Sequence, residues 1–183
     1  MWIQGLTGQL IQQYIVEALL QLMEQEPCEK ISIGEITKRA GVNRSSYYRH
    51  FTSKEDILRF YLLSIMEEYQ QAYRKGMDYS FSGYMHQIFV TFYQHRADLL
   101  RIHQNGLSYL LLDVLNQCFR FNGAKGEMPL EKQFEISYHI GGIYNNLRLW
   151  MDHGMKETPD QMTAIALSFK PEGSFTLLNV KKQ

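Results

Sequence analysis

The stretch Ile31-Ser-Ile-Gly-Glu-Ile-Thr-Lys-Arg-Ala-Gly-Val-Asn-Arg-Ser-Ser-Tyr-Tyr-Arg-His-Phe51 decides how this chain folds. Ser32 precedes an apolar-periodic run and is followed three residues later by Glu35. That spacing is a capping box, so a helix is predicted to start at Ile33. Ile33, Ile36 and Ala40 recur at helical spacing and form one inward stripe. Gly41 stands where a helix closes in the left-handed conformation. Val42 is free to pack inward, and Asn43 offers a side-chain oxygen to the unpaired amides of a second helix. This second helix is predicted from Arg44 to about Phe51. Roughly eight residues at about 1.5 Å each cover about 12 Å, close to the width of the B-DNA major groove. A helix this short is not stable alone and must be held by its neighbours.

The residue types on the second helix divide by face. Tyr47 and Phe51 are four apart and are the expected anchors. The opposite face centres on Ser45, Ser46 and Arg49, with Tyr48 and His50 on its flanks. Arg44 lies in the first turn, the end of a recognition helix that usually approaches base edges. Arginine matches a guanine edge with two donors, and the two serines are small enough to let a helix sit deep in a groove. Tyr48, Arg49 and His50 can donate to phosphate oxygens, as can Ser32 and Lys54 at helix starts. Between Ile36 and Lys54 there are five basic residues, Lys38, Arg39, Arg44, Arg49 and Lys54, and no acidic one. The whole chain has a formal net charge of zero, so the basic character is local. A local basic patch suits a nucleic-acid partner, and overall neutrality implies weak non-specific binding.

These residues resemble the TetR family of bacterial transcriptional regulators. The resemblance rests on Ile33 to Phe51, with Gly41-Val42-Asn43 at the turn and Tyr47-Tyr48-Arg49-His50-Phe51 closing the second helix. Thr52-Ser53-Lys54-Glu55-Asp56-Ile57-Leu58 carries it into the next helix, so it covers roughly the first sixty residues. It implies that Arg44, Ser45, Ser46, Tyr48, Arg49 and His50 face DNA and that Lys54 touches the backbone. The family more often has Ser or Thr at the position of Asn43, a small residue near Ser45 and an aliphatic residue at position 47. Those departures bear on operator preference and packing.

With 183 residues, 45% of them apolar, the chain is long enough for a substantial core. No apolar run approaches membrane-spanning length. No basic-then-apolar leader stands at the N-terminus, and Cys28 and Cys118 are isolated. A cytoplasmic, reduced protein is the expectation, with no membrane partner. Helical periodicity continues throughout. A first helix is predicted over about Thr7 to Glu24, capped by Thr7. Ser53 with Asp56 makes a second capping box, opening a long helix to about Lys75. Further helices are expected over Ser82 to His95, Ala97 to His103, Leu107 to Phe121 and Leu130 to His153. The segment Gly123 to Pro129 reads as a loop. Thr158-Pro-Asp-Gln161 starts a last helix, which stops before Pro171. Phe175 to Val180 reads as an extended tail. The predicted architecture is all-α. A three-helix helix-turn-helix DNA-binding domain occupies residues 1–53, and a larger helical effector-binding and dimerisation domain occupies 54–183.

The last two long helices resemble the family's dimer-forming pair, which implies a homodimer reading a pseudo-palindromic operator in double-stranded DNA. Gly141, Gly142 and Trp150 are its expected interface residues; the alternative is that the glycines mark a kink and Trp150 fills the core of a single chain. The family also implies a small-molecule effector. Candidate pocket residues are Met85, Phe89, Phe92, Tyr93, His103, Tyr109, Leu112, Tyr138 and Tyr144, whose aromatic walls and polar tips suit a small amphipathic or aromatic ligand. The same residues would also serve as a solid core, with control exerted by a partner protein. His86, His95, His103, His139 and His153 lack metal-ligand spacing. Ser108, Asp113 and His103 do not make a credible nucleophile-base set, and no phosphate-binding loop occurs. No enzymatic activity, cofactor or metal is expected. The expected function is that of a repressor released from its operator by an effector; a helical protein-interaction module is the alternative.

Overall fold

The computed structural model describes residues 8–76, 78–120 and 128–169. Among them every regular element is helical: α1 (Gly8–Leu22), a 3-10 turn (Cys28–Lys30), α2 (Ile33–Ala40), α3 (Arg44–His50), α4 (Lys54–Gly76), α5 (Phe81–Gln94), α6 (Arg96–Gln104), α7 (Tyr109–Arg120), α8 (Leu130–Asp152) and α9 (Pro159–Ser168). The expected cap Thr7, most of the expected loop Gly123 to Pro129 and the expected tail Phe175 to Val180 lie outside the described residues. The helices fall into two compact units. One comprises Met1–Ser64 with Ala97–Val114, the other Ile65–Arg96 with Leu115–Gln183. The sequence reading placed a boundary after residue 53. Contacts instead assign the first half of α4, nearly all of α6 and the start of α7 to the N-terminal unit.

In the N-terminal unit α1 packs on α2, and both pack on α3. Ile15 and Leu19 of α1, Ile36 of α2, Tyr47 of α3 and Ile57 and Leu58 of α4 are all fully buried. The Tyr47 and Phe51 rings lie 6.4 Å apart, and Phe51 meets Phe60 edge-on at 5.7 Å. Ser53 caps α4 by accepting from the Asp56 amide at 3.1 Å. The return half of the expected box differs by one residue, since the Asp56 carboxylate accepts from the Thr52 amide and hydroxyl. α6 is tied to the α1–α2 connection by polar contacts. Arg101 pairs with Glu24 at 2.7 Å and with Asp98, Tyr61 donates to Asp98, and the Cys28 amide donates to the Asn105 side chain at 2.7 Å. Cys28 and Cys118 are both free thiols.

In the second unit α5 packs along α9, and Trp150 is the largest side chain of the core. It is 1% exposed, stacked on Tyr93 at 5.8 Å and edge-on to Phe89 at 5.6 Å. Its indole nitrogen donates to the Glu157 carbonyl at 3.2 Å. Trp150 therefore belongs to the interior of a single chain, not to a dimer surface. The reason lies in α8, which has two apolar faces. The inward face is His139, Ile140, Ile143, Leu147, Trp150 and Met151. Phe134 and Tyr138 lie on the other face and are 68% and 79% exposed. α8 closes through Gly154 (φ 73°) and Met155 (φ 51°), two successive left-handed residues, and the second is buried. Non-glycine residues rarely take that conformation. Here the Met155 amide bond to the Trp150 carbonyl at 2.8 Å accompanies it.

Candidate nucleic-acid interface

The local chemistry of α2 and α3 accounts for the exposed face of the N-terminal unit. The Ser32 hydroxyl accepts from the Glu35 amide, and the Glu35 carboxylate accepts from the Ser32 amide, completing the capping box. The Ser32 hydroxyl, and then the Ser32 amide, donate to the Glu35 carboxylate and hold it below its ordinary pKa. Gly41 adopts φ 68°, and its amide closes α2 against the Lys38 and Thr37 carbonyls. Asn43 then caps α3, with its side-chain oxygen accepting from the Ser46 amide and from the Ser45 hydroxyl, each at 2.7 Å. α3 is one residue shorter than expected because Phe51 is extended and buried. Tyr47 points into the unit, and its hydroxyl has no hydrogen-bond partner. Burial pushes that phenol up to about 12.

With Tyr47 turned inward, α3 presents Arg44, Ser45, Tyr48 and Arg49 to solvent. Tyr48 is 60% exposed, although its ring meets Tyr47 edge-on at 5.2 Å. Ser46 and His50 are half-buried. His50 stands beside the start of α1, where a Cβ on Gly8 would lie 3.2 Å from the imidazole. The Arg44 guanidinium lies over the first turn of α2, where a Cβ on Gly34 would come within 3.0 Å of it. Sequence reasoning missed this role of Gly34. The signal was a glycine in the first turn of a short helix, a position where glycine costs stability. Lys38 and Arg39 add exposed charge at the end of α2, with Arg39 bonded to Gln21 at 3.2 Å.

Two side chains expected at the DNA are engaged within the unit. The Ser32 hydroxyl is engaged by Glu35, donating to its carboxylate at 2.6 Å as well as accepting from its amide. The Lys54 ammonium donates to the carbonyls of Cys28, Glu29 and Ile31 at 2.5, 3.0 and 2.8 Å. An ammonium has three donors, and all three are taken by this turn.

The nine candidate pocket residues do not form one set. His103, Tyr109 and Leu112 belong to the N-terminal unit, and the other six to the second. Within the second unit an open groove of about 470 Å³ is lined by residues including Phe81, Met85, Tyr138, His139, Gly142 and Phe169. Of the candidates, Met85 and Tyr138 reach it; Phe89 and Tyr93 instead pack on Trp150, and Phe92 is buried. Tyr144 is half-buried. His139, on the groove wall, shares a 2.7 Å hydrogen bond with the buried Tyr84 hydroxyl. Burial lowers its pKa to about 4, against a raising influence of Glu135. In the N-terminal unit His103 Nδ1 lies 2.7 Å from the Ser108 hydroxyl, whereas Asp113 pairs with Arg59 at 2.7 Å. Among the described residues no cluster of three or more His, Cys, Asp or Glu is placed to hold a metal ion, and no helix is long and apolar enough to cross a membrane.

Residues 15–59 match the family described as bacterial regulatory proteins, tetR family. The HTH-type transcriptional regulator AcrR of Shigella flexneri is 41% identical over 50 residues, which is 27% of this chain and 23% of that protein. The match thus spans about a quarter of that relative's length. A solved structure, the dihydroxyacetone kinase operon activator DhaS, superposes with a TM-score of 0.53 at 17% identity, covering 86% of this chain and 92% of the other. That likeness is one of fold, and it extends the all-helical resemblance beyond the N-terminal unit. The capping box at Ser32, the left-handed Gly41, the Asn43 cap and the buried Tyr47 all lie inside the matched segment, so the likeness to the bacterial regulatory proteins of the tetR family is carried by this helix-turn-helix.

Proposed function

We propose that this protein is a sequence-specific DNA-binding transcriptional regulator, acting in the cytoplasm as a repressor that a small-molecule effector releases from a pseudo-palindromic operator. The observation that carries the reading is the face of α3. An inward Tyr47 leaves Arg44, Ser45, Tyr48 and Arg49 exposed together on a helix of groove width. Arg44 reads a base edge and Arg49 a phosphate. In a selection from random duplexes the protein should enrich a two-fold sequence. Arg44→Ala should then lose about 1–3 kcal/mol of discrimination at one base pair per half-site. Arg49→Ala should weaken binding to all sequences and lower the salt slope by about one unit per subunit. Gel-shift titrations over a range of salt check both. An equal loss on every sequence for Arg44→Ala would remove its base-reading role.

Palindrome reading requires two copies. The second copy is proposed to cover the outer face of α8, where Leu130, Phe134, Tyr138, Gly141, Gly142, Asn145 and Leu149 follow one another at helical spacing. Ile165 and Phe169 at the α9 end are also exposed. Contiguous apolar surface of this kind usually marks an interface. A Cβ on Gly142 meets nothing within 4 Å in the single chain, so Gly142→Leu should fold normally. At a close two-fold crossing the added side chain overpacks, and dimer affinity should drop by about tenfold. Sedimentation at micromolar concentration reads this; a wild-type monomer there would defeat the assembly.

The effector is proposed to be small and amphipathic or aromatic, bound in the groove lined by α5, α8 and α9, with the second copy lying across its mouth, since Tyr138, Gly142 and Asn145 belong to both. Phe81 and Met85 supply its apolar floor and Asn146 a polar tip. To release the operator, the compound must bind the DNA-free state more tightly than the DNA-bound one. A compound that raises the melting temperature yet leaves operator affinity unchanged would not be that effector.

A further inference from the structure

The 3-10 turn Cys28–Lys30 runs directly into Ile31 and the Ser32 cap of α2, so its path sets where α2 begins and hence how α3 is presented. Two side chains from distant points of the sequence hold it. Lys54, at the start of α4, gathers the carbonyls of Cys28, Glu29 and Ile31. Asn105, just after α6, accepts from the Cys28 amide at 2.7 Å, and its own amide group donates to the Arg101 carbonyl at 2.8 Å. Three carbonyl oxygens converging on one ammonium repel one another if the cation is removed. Hydrogen bonds to a charged group are stronger than neutral ones. A lysine with its three donors so engaged has none left for a phosphate oxygen.

We propose that Lys54 is a positioning residue for DNA recognition: it pins the Cys28–Ile31 turn, with Asn105 as its second support, and so fixes the α2–α3 pair in its reading orientation without touching the DNA backbone. The proposal rests on the DNA-binding reading above. It makes the lysine's geometry, and not only its charge, the property that recognition depends on.

Two substitutions separate the roles. Lys54→Met removes charge and donors together. Lys54→Arg keeps the charge for a phosphate but offers a planar fork in place of three tetrahedral donors. Positioning gives a loss of operator affinity of roughly tenfold in both variants, with the salt slope of binding unchanged. Hydrogen exchange on the free protein should show the Ile31 and Glu35 amides less protected in both variants, with no DNA present. A phosphate contact gives the opposite pattern: Lys54→Met lowers the slope by about 0.9 per subunit, Lys54→Arg binds nearly as wild type, and exchange is unaltered. That pattern, or wild-type affinity in both variants, overturns the proposal. If Lys54→Met does not fold, Lys54→Arg decides alone. Wild-type protein that enriches no duplex sequence would refute the DNA-binding reading instead, and the exchange measurement would still report on the turn.

Discussion

Replacing Trp150 with Ala should cost the second unit about 3–5 kcal/mol of stability, the range for emptying a buried aromatic site. The side chain is 1% exposed, with Tyr93 stacked on it and Phe89 against its edge. Its loss removes those contacts and leaves the Glu157 carbonyl without the indole donor. Trp150→Phe should be milder, since it refills much of the volume and loses mainly the 3.2 Å hydrogen bond. The measurement is denaturant unfolding at two protein concentrations spaced tenfold. A core residue lowers the midpoint by the same amount at both. If Trp150→Ala leaves the midpoint nearly unmoved and instead yields monomer in sedimentation, the tryptophan acts at an interface after all.

Acidification should weaken the fold through His139. Its folded pKa of about 4 lies below the ordinary value of 6.5, chiefly because burial penalises the cation. As the pH falls below 6.5, the unfolded chain takes up a proton that the folded chain refuses until about pH 4. The unfolded state then binds more protons, so stability drops across that window. The contribution is fully present above about pH 6.5 and is lost towards pH 4, amounting to about 2 kcal/mol at pH 5 and about 3 kcal/mol in full. Urea unfolding of wild type and His139→Gln at pH 7 and pH 5 isolates it, since glutamine can still bond the Tyr84 hydroxyl. Equal losses in both proteins would mean that His139 is already charged in the fold.

How much of this was legible in the sequence depended on whether the signal was local. The starts of α2, α3 and α9 were read to the residue, because Ser32, Asn43 and Thr158 each bond an amide three positions on. Gly41 marked its own left-handed turn for the same reason. What failed was the choice between two apolar faces of α8. Periodicity says that a face exists, not which neighbour covers it, and Trp150 was assigned to the wrong side. Lys54 is ambiguous in the sequence for a related reason: a basic residue at a helix start suits a phosphate or a cluster of carbonyls equally, and only the fold of Cys28 to Ile31 around it brings three carbonyls to its ammonium. The candidate pocket mixed residues of two units because composition carries no information on which helices meet.

The make-up of the N-terminal unit bears on how the protein is born. It is not one run of chain: Ala97–Val114 belongs to it, although Ile65–Arg96 does not. Arg101 and Asn105, which hold Glu24 and Cys28, are therefore synthesised long after the helix-turn-helix itself. At roughly 5–20 residues per second of translation, the emerging helices wait several seconds for these partners. During that interval the turn before α2 has Lys54 alone to steady it. A ribosome-bound chain stopped near Ser64 would carry every residue of the reading helix and still lack part of its support.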